Sequence, residues 1–141
     1  MSAGTITFEM PWRQVAPSTA ASEELTSREY VITWDQIEEL RREEEQEDRP
    51  SDIAYQRALT ILRQAARQLG RNFPQAIVAT GPDRSLRLLW SCGRREVRLV
   101  IGGTPANKTY FYRESAGHHE VDYIVNGTKL AGYLRWVLAA I

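Results

Sequence analysis

One cysteine, two histidines and two lysines are all that these 141 residues contain of those types. Cys92 by itself excludes an internal disulfide, which points to a reducing, cytoplasmic setting. A zinc site needs several converging ligands. The adjacent pair His118-His119 would point to opposite sides of any strand that carried it, so turn or surface histidines are expected, with no metal and no cofactor. Long apolar runs are also missing: none approaches the roughly 20 residues of a membrane span. Residues 1–10 lack a basic start followed by an apolar stretch, so neither a membrane segment nor a secretory leader is expected. Gly102-Gly103-Thr104 is glycine-rich but lacks the lysine and following helix of a phosphate loop.

What the chain does contain is arginine, 16 of its 18 basic side chains. This bias suits bidentate contact with carboxylates and phosphates, although genomic base composition produces it equally well. Charge is unevenly placed. Residues 1–50 hold 5 Arg against 12 Asp or Glu, a net of −7, and residues 51–141 hold 13 Lys or Arg against 6 Asp or Glu, a net of +7. An acidic leader joined to a basic folded unit is the arrangement this implies, the leader lying on that unit or reaching for a partner.

Residues 1–27 carry Gly4, Pro11, Pro17 and many small polar residues, and are expected to form a flexible tail. Within it, residues 6–12 form an apolar island with Phe8, Met10 and Trp12, read either as a strap onto the chain's own domain or as a docking peptide. Residues 28–31 look extended. Thr33 and Gln36 have capping-box spacing, so an acidic helical arm (residues 28–50) is expected, helical over 34–48. Its apolar positions Trp34, Ile37 and Leu40 stop before the charged run 41–48, which has nothing to bury.

A compact domain follows over residues 51–141. Ser51 is a helix cap, and Ala54, Ala58, Ile61, Leu62, Ala65 and Leu69 form one helical stripe ending at Gly70. Arg63, Arg67 and Arg71 recur every four residues on the other side, a basic row for phosphates or acidic side chains. Strands are then expected over 75–80, 86–92, 95–101, 109–113 and 120–125, with turns at 81–85, Cys92-Gly93 and Ser115-Ala116-Gly117. Thr128 caps a last helix with the stripe Leu130, Leu134, Val137, Leu138 and Ile141. The fold class is α+β: a helix, a five-stranded mostly antiparallel sheet and a helix, with both helices packed on one face. The opposite face then presents Arg87, Leu89, Ser91, Glu96, Arg98 and Val100, with Arg113 from the neighbouring strand. It is a surface to be covered by the acidic arm or by a partner.

Reactive groups are sparse. Cys92 with a histidine base would make a small cysteine/histidine-dependent enzyme, but Cys92 falls in the inward set beside Trp90, where an inert thiol is normal. Glu96, Glu114, Glu120 and Asp122 are expected on the solvent side of their strands, with no acid/base spacing. The sequence therefore reads as a non-catalytic protein–protein interaction module, a small bacterial-type accessory, adaptor, antitoxin-like or inhibitory subunit. Its partner-binding residues are Phe8, Met10, Trp12, Arg63, Arg67, Arg71, Arg87 and Arg98. A homodimer through the open face is a variant of this reading. The alternative is a nucleic-acid-binding accessory protein, because the basic half also carries Trp90, Tyr110, Tyr112, Tyr123, Tyr133 and Trp136 for base stacking.

Overall fold

Capping and apolar spacing place the two main helices of the computed structural model, which describes residues 26–140. The Ser51 hydroxyl accepts from the Ala54 N–H at 3.1 Å and starts the helix Asp52–Leu69, called α2 below because a shorter helix, α1 (Arg28–Leu40), precedes it. All six residues of the expected stripe are buried, and Gly70, at φ 54, ends α2 in a conformation that favours glycine. The last helix, α3 (Gly127–Leu138), is capped by Asn126 rather than by Thr128. The Asn126 side chain accepts from the Lys129 N–H at 2.8 Å, while the Thr128 hydroxyl accepts from the Gln64 and Gln68 amides of α2. Gly127 makes the close crossing of the two helices: a Cβ there would stand 2.3 Å from Gln64 Cβ and 2.6 Å from the Ile61 carbonyl. Ile141, at the end of the expected stripe, lies outside the described residues.

Period-two alternation builds the sheet. Five strands, β1 (Ile77–Thr80), β2 (Leu86–Cys92), β3 (Arg95–Ile101), β4 (Tyr110–Ser115) and β5 (His118–Asp122), pair in chain order, every pair antiparallel. Leu86, Leu88 and Trp90 of β2 and Val97, Leu99 and Ile101 of β3 are buried against α2 and α3. The Trp90 indole N–H donates to the Pro74 carbonyl at 3.0 Å, which lets the largest core side chain sit there without an unpaired donor. Between β4 and β5, Ala116 (φ 51) and Gly117 (φ 84) form a two-residue turn of the hairpin type. Pairing resumes at once with Ser115 opposite His118, so both histidines lie on a strand and not in the turn. β5 then ends at Asp122, not residue 125, because its carboxylate accepts from the Ile124 N–H at 2.9 Å and turns the chain away.

The acidic half differs most from expectation. Residues 28–31 are the first turn of α1, not an extended piece: the Ser27 hydroxyl accepts from the Tyr30 N–H at 2.8 Å and donates to the Phe73 carbonyl at 2.9 Å. Thr33 is no cap but a buried mid-helix residue. Its hydroxyl donates to the Glu29 carbonyl at 2.8 Å and accepts from the Ala76 N–H at 3.0 Å. The helix stops at Leu40, where apolar residues run out, and 41–48 form turns and one short 3-10 turn (Gln46–Asp48). Ile37 is 0% exposed, Tyr30 meets Phe73 edge-on at 5.0 Å, and Trp34 packs on Tyr55 of α2 at 5.4 Å. The charge boundary at residue 50 is thus not a packing boundary, because α1 is docked into the common core.

Candidate functional site

Strand register sorts the sheet's side chains into two sets. Away from the helices, one row across the strands runs Ile77, Leu89, Arg98, Tyr112, Val121. A second runs Ala79, Arg87, Val100, Tyr110, and a third Ser91, Glu96, Glu114, His119. The first two rows form a shallow cleft of about 300 Å³, lined by aliphatic and tyrosine side chains with Arg87 and Arg98 among them, and no residue of α1 covers it. Ile77 is 67% exposed on one edge strand and Val121 46% on the other, so apolar side chains are exposed at both edges of this face.

The charges on this face are mostly committed to one another. Arg98 pairs with Glu96 through its Nε and lies over the Tyr112 ring at 5.0 Å. The Tyr112 hydroxyl donates to Glu114 at 2.8 Å, and its ring stacks on His119 at 5.9 Å. The Glu114 hydrogen bond raises the Tyr112 phenol above its ordinary value. Arg87 is different. It lies over Gly81, where a Cβ would stand 2.5 Å from its Nε, and it makes no hydrogen bond or ion pair among the described residues. The cleft therefore offers an apolar floor with one unpaired guanidinium.

Arg87 and Arg98 thus lie where the sequence places them, along with Leu89, Ser91, Glu96 and Val100. Arg113 does not. It pairs in register with Val97, shares the helix side, and lies over Tyr133 and Trp136 of α3 at 5.3 Å each while pairing with Glu120 at 2.6 Å. The outward members of β4 are Tyr110 and Tyr112, which the expected strand contained without assigning to a face. The flanking of buried Phe111 by two tyrosines was the available signal. Arg63, Arg67 and Arg71 line a separate open groove with Thr26 and Tyr30 near the C-terminal end of α2. Arg71 lies beyond the helix in the 3-10 turn Gly70–Asn72, so the single row breaks after Arg67. Burial raises the Tyr30 phenol, opposed by the nearby positive charges of Arg63 and Arg67. Phe8, Met10 and Trp12 lie outside the described residues.

The candidate reactive groups are not brought together. Cys92 is half-buried at the end of β2. It shares a row with Arg95, Ser115 and His118, which leaves it three strand spacings, about 14 Å, from that histidine. Asp122 faces the helices rather than solvent. It accepts from Lys129 Nζ at 2.6 Å, the Tyr133 hydroxyl at 2.6 Å and the Ile124 N–H. Those hydrogen bonds hold its carboxyl at about 2, below the ordinary carboxylate value of 3.8. Burial first, then Asp122, pushes the Tyr133 phenol up to about 12. This cluster clasps α3 to β5 and uses all three polar groups in doing so. Among the described residues no group of three or more His, Cys, Asp or Glu is placed to hold a metal ion, and no helix is long and apolar enough to cross a membrane.

Fold and site together define an α+β domain in which an antiparallel five-strand meander carries helices on one face and a mixed apolar and arginine surface on the other. Comparison with family models, curated proteins and solved structures finds no match to this chain.

Proposed function

We propose that this protein is a non-catalytic binding module, an accessory, adaptor or inhibitory subunit, whose recognition surface for a protein partner is the open sheet face. The observation that carries this is the cleft of Ile77, Ala79, Leu89, Val100, Tyr110 and Tyr112 with the unpaired Arg87 in its lining. Such a patch suits a partner segment with an apolar side chain next to a carboxylate: the apolar part gains from desolvation and the acid pairs with the guanidinium. Arginine and tyrosine are also the side chains on which interface energy concentrates. A nucleic acid fits this face less well, since Glu96 and Glu114 stand on it and already engage Arg98 and Tyr112.

The test is to purify the partner recovered with the full chain and titrate it against face variants. Leu89→Glu and Arg87→Glu are expected to weaken binding at least tenfold, while Arg63→Glu leaves it within about twofold and salt weakens it only modestly, as for an apolar contact with a single ion pair. Undiminished binding by both face variants overturns the reading. Recovery of nucleic acid with an affinity falling steeply in salt favours the alternative class.

A further inference from the structure

The helix side of the molecule is chemically the reverse of the sheet face. Residues 53–72 and 126–140, which hold all but the first residue of α2 and the whole of α3, contain five arginines and one lysine and no aspartate or glutamate. Lys129 is engaged by Asp122 and Arg57 donates to the Thr109 hydroxyl. Arg63 and Arg67 make no hydrogen bond or ion pair among the described residues.

Helical geometry gathers this charge. Gln56, Thr60, Arg63, Gln64 and Arg67 are all exposed and, at about 100° per residue, fall within about a third of the circumference of α2, a stripe about 17 Å long. At its lower end the groove that holds Arg63, Arg67 and Arg71 shares Gln68, Leu69 and Asn72 with a second groove lined by Arg135 of α3. The Arg135 guanidinium reaches the end of α2, donating to the Gln68 carbonyl at 3.3 Å. Neither groove has a carboxylate among its described lining residues. The dipole of α2 puts only about half a negative charge at this end, which the guanidinium groups outweigh.

The kind of ligand follows from what this surface lacks. A protein interface centres on desolvated apolar anchors. Among the described residues, the large apolar side chains that stand exposed are Val31, Ile53, Ile77, Val121, Tyr123 and Ile124, none of them on α3 or on α2 beyond its second residue. A nucleic-acid backbone asks for cations free of competing acids, with side-chain amides beside them. The exposed Gln56 and Asn72 supply such amides along the same strip.

We propose that the carboxylate-free surface of α2 and the end of α3 binds the phosphate backbone of a nucleic acid, with Arg63, Arg67 and Arg135 as its phosphate contacts. This surface shares no residue with the sheet cleft, so it stands or falls apart from the proposed function.

Anisotropy of the full chain with a fluorescent mixed-sequence DNA duplex of about 20 base pairs tests this. Three phosphate contacts predict that log affinity falls with log salt at a slope of about −2.7. Replacing both Arg63→Gln and Arg67→Gln should weaken binding at least tenfold at about 50 mM salt and flatten the slope to about −0.9. Both side chains are exposed and glutamine has a similar helix propensity, so the fold is kept, which a thermal melt checks. Leu89→Gln, on the opposite side of the molecule, should leave the affinity within about twofold. Absence of binding at about 100 μM protein and 50 mM salt overturns the proposal. So does a slope unchanged in the double variant, or equally tight binding of a polyglutamate of matched charge. Duplex binding lost in Leu89→Gln and kept in the arginine pair moves the nucleic acid to the sheet face and overturns it as well.

Discussion

Replacing Thr33 by Val tests whether α1 is part of the folded body. The Thr33 hydroxyl is the acceptor for the buried Ala76 N–H at 3.0 Å, and Thr33 itself is 0% exposed. Valine keeps the shape and a similar helix propensity but leaves that N–H without a partner, which costs about 1–3 kcal/mol. The Glu29 carbonyl loses only its second donor, because the helix ladder still supplies one. Taking about 2 kcal/mol, and about 4 °C of melting temperature per kcal/mol for a domain of this size, the variant should melt about 8 °C below the parent. Thr33→Ser keeps the acceptor and removes one buried methyl, for about 1 kcal/mol or about 4 °C. Calorimetry with urea unfolding checks both, the urea slope staying constant if only stability changed. A Val variant melting within about 1 °C of the parent would refute the argument, since a bond that bridges an undocked helix could not exist.

Two glycines of α3 should respond with opposite sign. Gly127→Ala drives a Cβ into Gln64 and the Ile61 carbonyl and should cost about 1–3 kcal/mol, whereas exposed Gly132, with nothing within 4 Å of its Cβ position, should gain about 0.5–1 kcal/mol as alanine. Thermal melts of the pair decide this, and equal shifts would contradict the crossing geometry. Because the folded Asp122 carboxyl is more acidic than the unfolded one, its contribution is complete above about pH 4 and is lost as the pH falls toward 2. Melting temperature should therefore drop more steeply over that window in the parent than in Asp122→Asn. Tyr55 and Tyr133 are both raised from 10.0 to about 12, Tyr55 by burial and then by its hydrogen bond to Glu38. Their contribution is complete below pH 10 and lost as the pH rises through about 12. Each Tyr→Phe change should delete one late phenolate from an ultraviolet titration, and deletion of an early one would contradict the assignment.

Local periodicity carried much of this fold. The six-residue stripe of α2, the alternation of β2 and β3 and the apolar repeat of α3 are set by the chain's own helical or pleated geometry, so neighbouring residues suffice to reveal them. The outward set Arg87, Leu89, Ser91, Glu96, Arg98 and Val100 followed from that alternation alone. The β4 assignment did not, because Arg113 and its tyrosine neighbours alternate whichever face is inward. The register imposed by β3 and by the Ala116-Gly117 turn made the choice.

The start of α1 was hidden for a related reason. Val31, Ile32 and Thr33 are β-branched and locally favour extended backbone, and Ser27 finds its second partner 46 residues away at Phe73. The amino-acid order thus determined which segments are helix or strand, and which side of most of them is apolar. Only the packed molecule decided that the acidic helix is docked, that Arg113 stacks on α3, and that Arg87 stands unpaired in an apolar cleft. Those outcomes depend on contacts between residues far apart in the chain, and such pairings leave no period for a local pattern to show.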